Sequence, residues 1–201
     1  MPEIKESFNY TYADKFEIDD YENRHLFLND IVDENVFNSL VYCILRWNAD
    51  DKGLPTEERK PIILYINSPG GSVVDGYGLI DAMLASKTPI ITVNQGFAAS
   101  MGFLIFLAGH KRYSMQHSEF LMHDGSTGGL GSTAKMKDRM EFETNQLEEM
   151  TKNYIMSRTS ISEELYDNKY RVEWYMLPPE AKSHGIVDCI VNVDCDINEI
   201  V

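Results

Sequence analysis

Two short turns rich in small residues carry the groups that could do chemistry. Residues 67–71 (NSPGG) follow one apolar run, and residues 95–99 (QGFAA) lead from a second apolar run into Ser100. Paired glycines allow backbone N–H groups to face outward, and a helix start adds unpaired N–H donors, so the first turn suits an oxyanion. The serine hydroxyl at the second turn could attack a carbonyl carbon. Together the two turns indicate a hydrolase.

The elements that flank these turns predict one shared crevice. Residues 62–66 and 89–94 read as apolar strands, and each is followed by a helical pattern. The second helix, residues 101–108, is apolar on every side and must be buried. Strands that alternate with helices pair in parallel, and ligands bind beyond the carboxyl ends of such strands. We therefore expect Gly70, Gly71 and Ser100 beside one crevice.

A serine nucleophile needs a base, and the chain offers five histidines. His25 precedes a strand, His110 and His117 lie in polar turns, and His184 lies at a helix end. His123 differs from these because it closes an apolar strand, residues 119–123, of the same predicted sheet. It is the candidate base, with a hydrogen-bonded structural histidine as the alternative interpretation.

Composition predicts one soluble domain. The chain has 201 residues and is 43% hydrophobic, with no apolar segment of membrane-spanning length. Its formal net charge of -14 would repel nucleic acid and anionic lipid. Its three cysteines (Cys43, Cys189 and Cys195) are too few and too scattered for a disulfide framework. We expect free thiols, a cytoplasmic location, and no nucleic-acid or membrane partner.

The chain divides into three parts around this domain. Residues 1–21 show no clean period and read as a frayed arm, residues 22–191 form the domain, and residues 192–201 are an acidic tail. The pattern from Thr133 to about Arg158 predicts a helix of about 37 Å, which is long for the domain to cover. Part of its apolar stripe is expected to meet another subunit; the alternative is a surface helix packed only on its own core.

Three separated blocks carry a family resemblance: NSPGGSV (67–73), GFAASMG (96–102) and FLMHDG (120–125). In this order they resemble the signature blocks of the ClpP family, self-compartmentalised serine peptidases that work with ATP-driven unfoldases. The resemblance implies an α/β fold of repeated β-β-α units of the ClpP/crotonase type, forming a parallel-sheet head with a long handle helix in the region of residues 125–158. It also implies an axial loop at residues 1–21, stacked seven-membered rings, an AAA+ unfoldase ATPase as partner, and unfolded proteins and short peptides as substrates. It implies no metal or cofactor.

The resemblance also assigns roles at the site. It makes Ser100 the nucleophile, His123 the general base and then acid, and the N–H groups of Gly71 and Met101 the oxyanion donors.

The acid of the triad departs from the family pattern. Counting back from residues 178–181 (PPEA), Glu173 occupies the position that holds aspartate in the family. Glutamate is a carboxylate one methylene longer and could still orient the imidazole. Asp167 and Asp124 are possible substitutes, and Glu173 as a plain surface acid remains an alternative.

Two other functions stay open. One is a catalytically weak or inactive ring subunit that supports an active paralogue. The other is a crotonase-type enzyme acting on acyl-CoA, although Ser100 and His123 have no role in that chemistry and no basic cluster is offered to the CoA phosphates. The order Ser100, His123, Glu173 argues against an α/β-hydrolase, in which the acid precedes the histidine.

Overall fold

A computed structural model describes residues 11–125 and 132–200. The strands are β1 (His25–Leu28), β2 (Ile62–Ser68), β3 (Ile90–Ala99), β4 (Lys111–Ser114), β5 (Glu119–Met122), β6 (Trp174–Met176) and β7 (Cys189–Ile190). The α-helices are α1 (Tyr12–Asn23), α2 (Tyr42–Asp50), α3 (Val73–Ala85), α4 (Met101–Leu107), α5 (Thr133–Phe142), α6 (Glu148–Arg158), α7 (Glu163–Lys169) and α8 (Pro178–Ser183). Short π-helical segments, Phe37–Val41 and Glu143–Leu147, precede α2 and join α5 to α6.

The sheet is parallel apart from its last pair. Strands β1, β2, β3, β4 and β7 lie side by side in that order, β5 runs parallel to the end of β3, and β6 runs antiparallel to β5. This arrangement confirms the predicted α/β fold with a parallel sheet. The NSPGG turn begins at the carboxyl end of β2, and Ser100 follows the carboxyl end of the neighbouring β3, as the sequence predicted.

Strand β3 is longer than the sequence predicted. Its first half pairs with β4 through Asn94, and its second half, Phe97 to Ala99, pairs with β5. The amide of Asn94 donates to Glu119 O at 2.8 Å and bridges the two halves. The predicted turn at residues 95–99 is therefore strand, because a second partner strand continues the ladder.

Both faces of the sheet are covered. The main core lies between the sheet and the helices, and all seven residues of α4 are buried there, which confirms the predicted buried helix. A smaller cluster on the other face, including Ile63, Val93 and Tyr113, is closed by Ile200 from the C-terminal segment. The hydroxyl of Tyr65 donates to Ile200 O at 3.0 Å, so the described part of the acidic tail packs on the sheet.

The cysteines correct one prediction. Cys189 and Cys195 form a disulfide with their Cα atoms 6.2 Å apart, whereas Cys43 is a free thiol. Free thiols were expected at all three. The chain reverses after β7, where Asp194 N donates to Ile190 O at 2.9 Å, and this local turn brings the two sulfur atoms together.

The ends of the predicted regions also differ in detail. Residues 12–21 of the predicted frayed arm belong to α1, which continues to Asn23, begins with a capping box between Thr11 and Asp14 and buries none of its residues. Because α1 buries no apolar face, its sequence shows no apolar periodicity from which a helix could be predicted.

The predicted handle helix is confirmed from Thr133 to Arg158, while residues 1–10, 126–131 and 201 lie outside the described part of the chain. None of the described helices is long and apolar enough to cross a membrane.

A buried ion pair ties the start of the sheet to the helices. Asp51 follows α2, is only 4% exposed, and accepts from both terminal nitrogens of Arg24, at 2.6 and 2.7 Å. Thr88 donates to the same carboxylate at 2.8 Å. The Arg24 hydrogen bonds hold the pKa of Asp51 below its usual value. A depressed folded-state pKa means that this stabilisation is present at neutral pH and is lost as pH falls through that lowered value.

We predict that Asp51→Ala lowers the free energy of unfolding by about 3 kcal/mol, because it removes the buried carboxylate that pairs with the partly buried Arg24 guanidinium and accepts from Thr88, and leaves Arg24 only its hydrogen bond to Lys60 O. The neighbouring Asp50→Ala breaks only an exposed pair with Arg46 and should cost about 0.5 kcal/mol or less. Urea unfolding at pH 7 measures both. Equal losses from the two variants would contradict this account.

Candidate active site

Ser100 lies in a sharp turn between β3 and α4. Its backbone has φ 52° and ψ -121°, a conformation that is uncommon for a residue with a side chain and costs on the order of 1–3 kcal/mol. Three hydrogen bonds hold it: Ser100 N donates to Leu121 O at 3.0 Å, and Ser100 O accepts from Phe103 N at 3.1 Å and Leu104 N at 3.2 Å. The sheet and the helix together fix the direction of the serine side chain.

The NSPGG turn packs directly against this turn. A Cβ atom added to Gly70 would lie 2.7 Å from Ser100 Cβ and 2.9 Å from Met101 N. One added to Gly71 would lie 2.3 Å from Val32 O. Both glycines also have positive φ, 94° and 152°. A side chain at Gly70 would force the two turns apart, and one at Gly71 would clash with the Val32 backbone, so both glycines are required by space as well as by conformation.

Two backbone N–H groups at the junction remain available. Gly70 N donates to Ser68 Oγ at 3.2 Å, and Ser72 N donates to Val32 O at 2.7 Å. The N–H of Gly71, between them, has no acceptor within the described residues. The same holds for Met101, the first residue of α4, since helix-start N–H groups lack an intrahelical partner.

His123 lies directly after β5 and is half-buried. Because β5 runs parallel to the end of β3, the histidine reaches the same edge of the sheet as Ser100. The two side chains line one cavity, together with Gly71 and Met101. No hydrogen bond joins the Ser100 hydroxyl to the His123 imidazole in this single subunit, although both are among the described residues.

The other four histidines do not line this cavity. His110 accepts a hydrogen bond from Ile90 N at 3.0 Å through Nδ1, and burial lowers its pKa, so it is a neutral structural residue. His184 packs edge-on against the Trp174 ring.

Glu173 does not line the cavity. The antiparallel β5–β6 ladder ends at the pair Met122 and Trp174, and the same register continued by one residue would place Glu173 opposite His123. The Glu173 side chain is exposed and accepts from the Tyr175 hydroxyl at 3.0 Å. The structure thus brings four of the five predicted site residues into one cavity and leaves Glu173 outside it.

The two substitute acids differ in position. Asp124 follows His123 and lines the cavity. Asp167, on α7, is held by Lys152 at 2.7 Å and does not line it.

The cavity extends from Ser100 along the handle helix and has a volume of about 780 Å³. Its far wall contains tyrosines that sequence reasoning missed: Tyr77, Tyr166 and Tyr170. The Tyr77 hydroxyl bonds the Thr151 hydroxyl at 2.7 Å, and burial raises the pKa of Tyr166 to about 12. These phenols therefore stay neutral at physiological pH. These tyrosines lie on α3 and on or directly after α7, and no sequence pattern indicated that these two helices would share a cavity. Among residues 11–125 and 132–200, no cluster of His, Cys, Asp or Glu could hold a metal ion.

Comparison with known proteins agrees with this geometry. The family model described as Clp protease matches residues 13–194. The chain is 36% identical over 178 residues to the ATP-dependent Clp protease proteolytic subunit 1 of Frankia casuarinae, covering 84% of this chain and 77% of that protein. It is 34% identical to the corresponding subunit 1 of Prochlorococcus marinus subsp. pastoris, covering 84% of each chain. It is 33% identical to subunit 2 from a Synechococcus species, covering 84% of this chain and 83% of that protein.

The family-model match includes the NSPGG turn, Ser100, β5 and His123, and all of α5 and α6. The chain therefore belongs to the Clp protease family.

Proposed function

We propose that this protein is a serine endopeptidase that hydrolyses peptide bonds in unfolded proteins and short peptides. One observation carries the proposal: a strained, firmly held Ser100 shares a cavity with His123 and with two N–H groups that have no acceptor among residues 11–125 and 132–200. A nucleophile, a base and oxyanion donors are the parts that acyl transfer needs.

The reaction follows from these positions. Ser100 Oγ attacks the carbonyl carbon while its proton passes to His123. The Gly71 and Met101 N–H groups donate to the resulting oxyanion. His123 then protonates the leaving amine, an acyl-enzyme forms, and a water molecule activated by His123 releases the new carboxylate. Hydrogen bonds of this kind are commonly loose in free enzymes and close when substrate binds, so the open Ser100–His123 geometry is compatible with the role.

Glu173 is our proposed orienter of His123. Its support is positional: continued by one residue, the β5–β6 register would place Glu173 opposite the histidine, and cross-strand neighbours have Cβ atoms about 4.5–5.5 Å apart. Asp167 is less suited because it is engaged with Lys152.

Assembly into rings is also proposed. The handle helix exposes large apolar side chains, including Met140 at 59% and Met150 at 44% exposure. We propose that another subunit covers these side chains, in the stacked seven-membered rings that the family resemblance implies. The relatives are named as proteolytic subunits of an ATP-dependent Clp protease, which supports an ATP-driven unfoldase as the further partner of this chain. A cytoplasmic location stays a prediction.

The first prediction concerns Ser100. A fluorophosphonate probe should label the purified protein at Ser100, and Ser100→Ala should abolish both labelling and cleavage of fluorogenic peptides. Ser183→Ala, an exposed serine outside the cavity, should behave as wild type. Peptide mapping by mass spectrometry identifies the labelled residue. Unlabelled wild-type protein would instead favour the inactive ring subunit, and calorimetric binding of a CoA thioester would favour the crotonase-type enzyme.

The second prediction concerns Glu173. Glu173→Ala should lower kcat roughly 10³-fold or more, the size of effect seen when an orienting acid is lost from a triad. Asp167→Ala should change kcat less than about twofold, because that carboxylate serves an exposed ion pair. Full activity in Glu173→Ala would transfer the role to Asp124.

The third prediction concerns assembly. Fourteen chains of 23.0 kDa should give a particle of about 320 kDa by mass photometry. Met140→Glu should shift the distribution to smaller species, because it places a charge in the apolar stripe. Leu54→Glu, equally drastic but in the loop after α2, should leave the mass unchanged. A monomeric wild-type protein would refute the ring proposal.

A further inference from the structure

Glu173 needs a neighbouring group to fix its side chain if it is the acid of the triad. Glutamate has one more rotatable bond than the aspartate found at this position in the family, and Glu173 is exposed. An unrestrained exposed glutamate samples several rotamers, whereas the acid of a triad has to hold the imidazole in one orientation. Some other group must restrict this carboxylate if it serves His123.

Tyr175 lies where such a group is needed. Strand residues two apart point to the same face, so Tyr175 and Glu173 share a face of β6. The register pairs Leu121 with Tyr175, which places His123 on that same face of the ladder. The Tyr175 hydroxyl donates to Glu173 Oε2 at 3.0 Å, whereas Oε1 has no donor among the described residues.

We infer that Tyr175 is a positioning residue: its hydroxyl holds Oε2 of Glu173 so that Oε1 is presented to the imidazole of His123. This inference rests on the proposed function and adds to it a residue that acts through the triad acid without touching substrate.

The chemistry of the phenol suits this role. The Glu173 carboxylate beside it raises the pKa of Tyr175, so the hydroxyl keeps its proton and remains a donor at neutral pH. A carboxylate bonded at one oxygen can still accept the imidazole N–H at the other. Tyr175 is about half exposed, and its ring pairs with Leu121 instead of filling the core, so loss of the hydroxyl alone should not disturb folding.

The test is Tyr175→Phe, which keeps the ring and removes only the hydroxyl. We expect kcat for a fluorogenic peptide to fall about tenfold with KM unchanged, as for loss of one hydrogen bond to a charged group. Turnover is expressed per Ser100 that the fluorophosphonate probe labels to completion. A purely structural loss would reduce the active fraction and leave kcat per labelled site unchanged, whereas loss of positioning lowers kcat per labelled site.

A double-mutant cycle separates positioning from other effects. The readout is the rate of fluorophosphonate labelling, which is measurable even for slow variants. In the Glu173→Ala background, Tyr175→Phe should change the rate less than about twofold, because no carboxylate remains to be positioned. The control Tyr42→Phe, on the exposed surface of α2, should leave the labelling rate of each background unchanged.

Three outcomes overturn the inference. Equal losses from Tyr175→Phe in both backgrounds would show a role independent of Glu173. If Tyr175→Phe alone leaves the labelling rate unchanged, the hydroxyl is irrelevant to the site. If Tyr175→Phe alone increases the labelling rate, the hydroxyl withdraws Glu173 from His123. Either result leaves the proposed protease intact if the wild type cleaves peptide and is labelled at Ser100, whereas a wild type that does neither overturns the proposed function as well.

Discussion

The close contact between the NSPGG turn and the turn at Ser100 is the constraint on which the site depends. Gly70 lies so near Ser100 and the Met101 backbone that no side chain fits between them. Ser100 itself holds an unfavourable backbone conformation, which persists because hydrogen bonds from β5 and α4 leave it no alternative. The strain points the hydroxyl into the cavity, and the glycine turn brings its free N–H group to the same place.

Strand β3 connects this junction to the rest of the site by changing partner halfway along. Its first half belongs to the main sheet, and its second half carries β5, which in turn carries β6. One strand therefore ends at Ser100, supports the strand that ends at His123, and sets the antiparallel register that, continued by one residue, would place Glu173 opposite that histidine. Burial of the whole of α4 behind this junction makes the arrangement rigid.

The backbone positions the parts of the site, whereas the three proposed catalytic side chains are not hydrogen-bonded to one another. Ser100 and His123 share a cavity without a mutual hydrogen bond, and Glu173 is bonded to Tyr175 outside that cavity. The handle helix forms one wall of the cavity and also exposes the methionines that we assign to subunit contact. Subunit contact through this helix would therefore bear on the cavity wall that substrate meets, which links assembly to activity in a physical way.

The sequence by itself determined the chemistry-bearing motifs, the parallel α/β sheet, the buried helix after Ser100 and the long handle, because apolar periodicity and glycine-rich turns are local signals. Tertiary structure alone decided the features that depend on distant or non-periodic contacts. The second half of β3 needed β5 as a partner, and α1 rests on a cap without a buried face. The Cys189–Cys195 disulfide, the tyrosine wall and the Tyr175–Glu173 bond arise from a chain reversal, from packing between helices and from strand register, none of which a single residue pattern encodes.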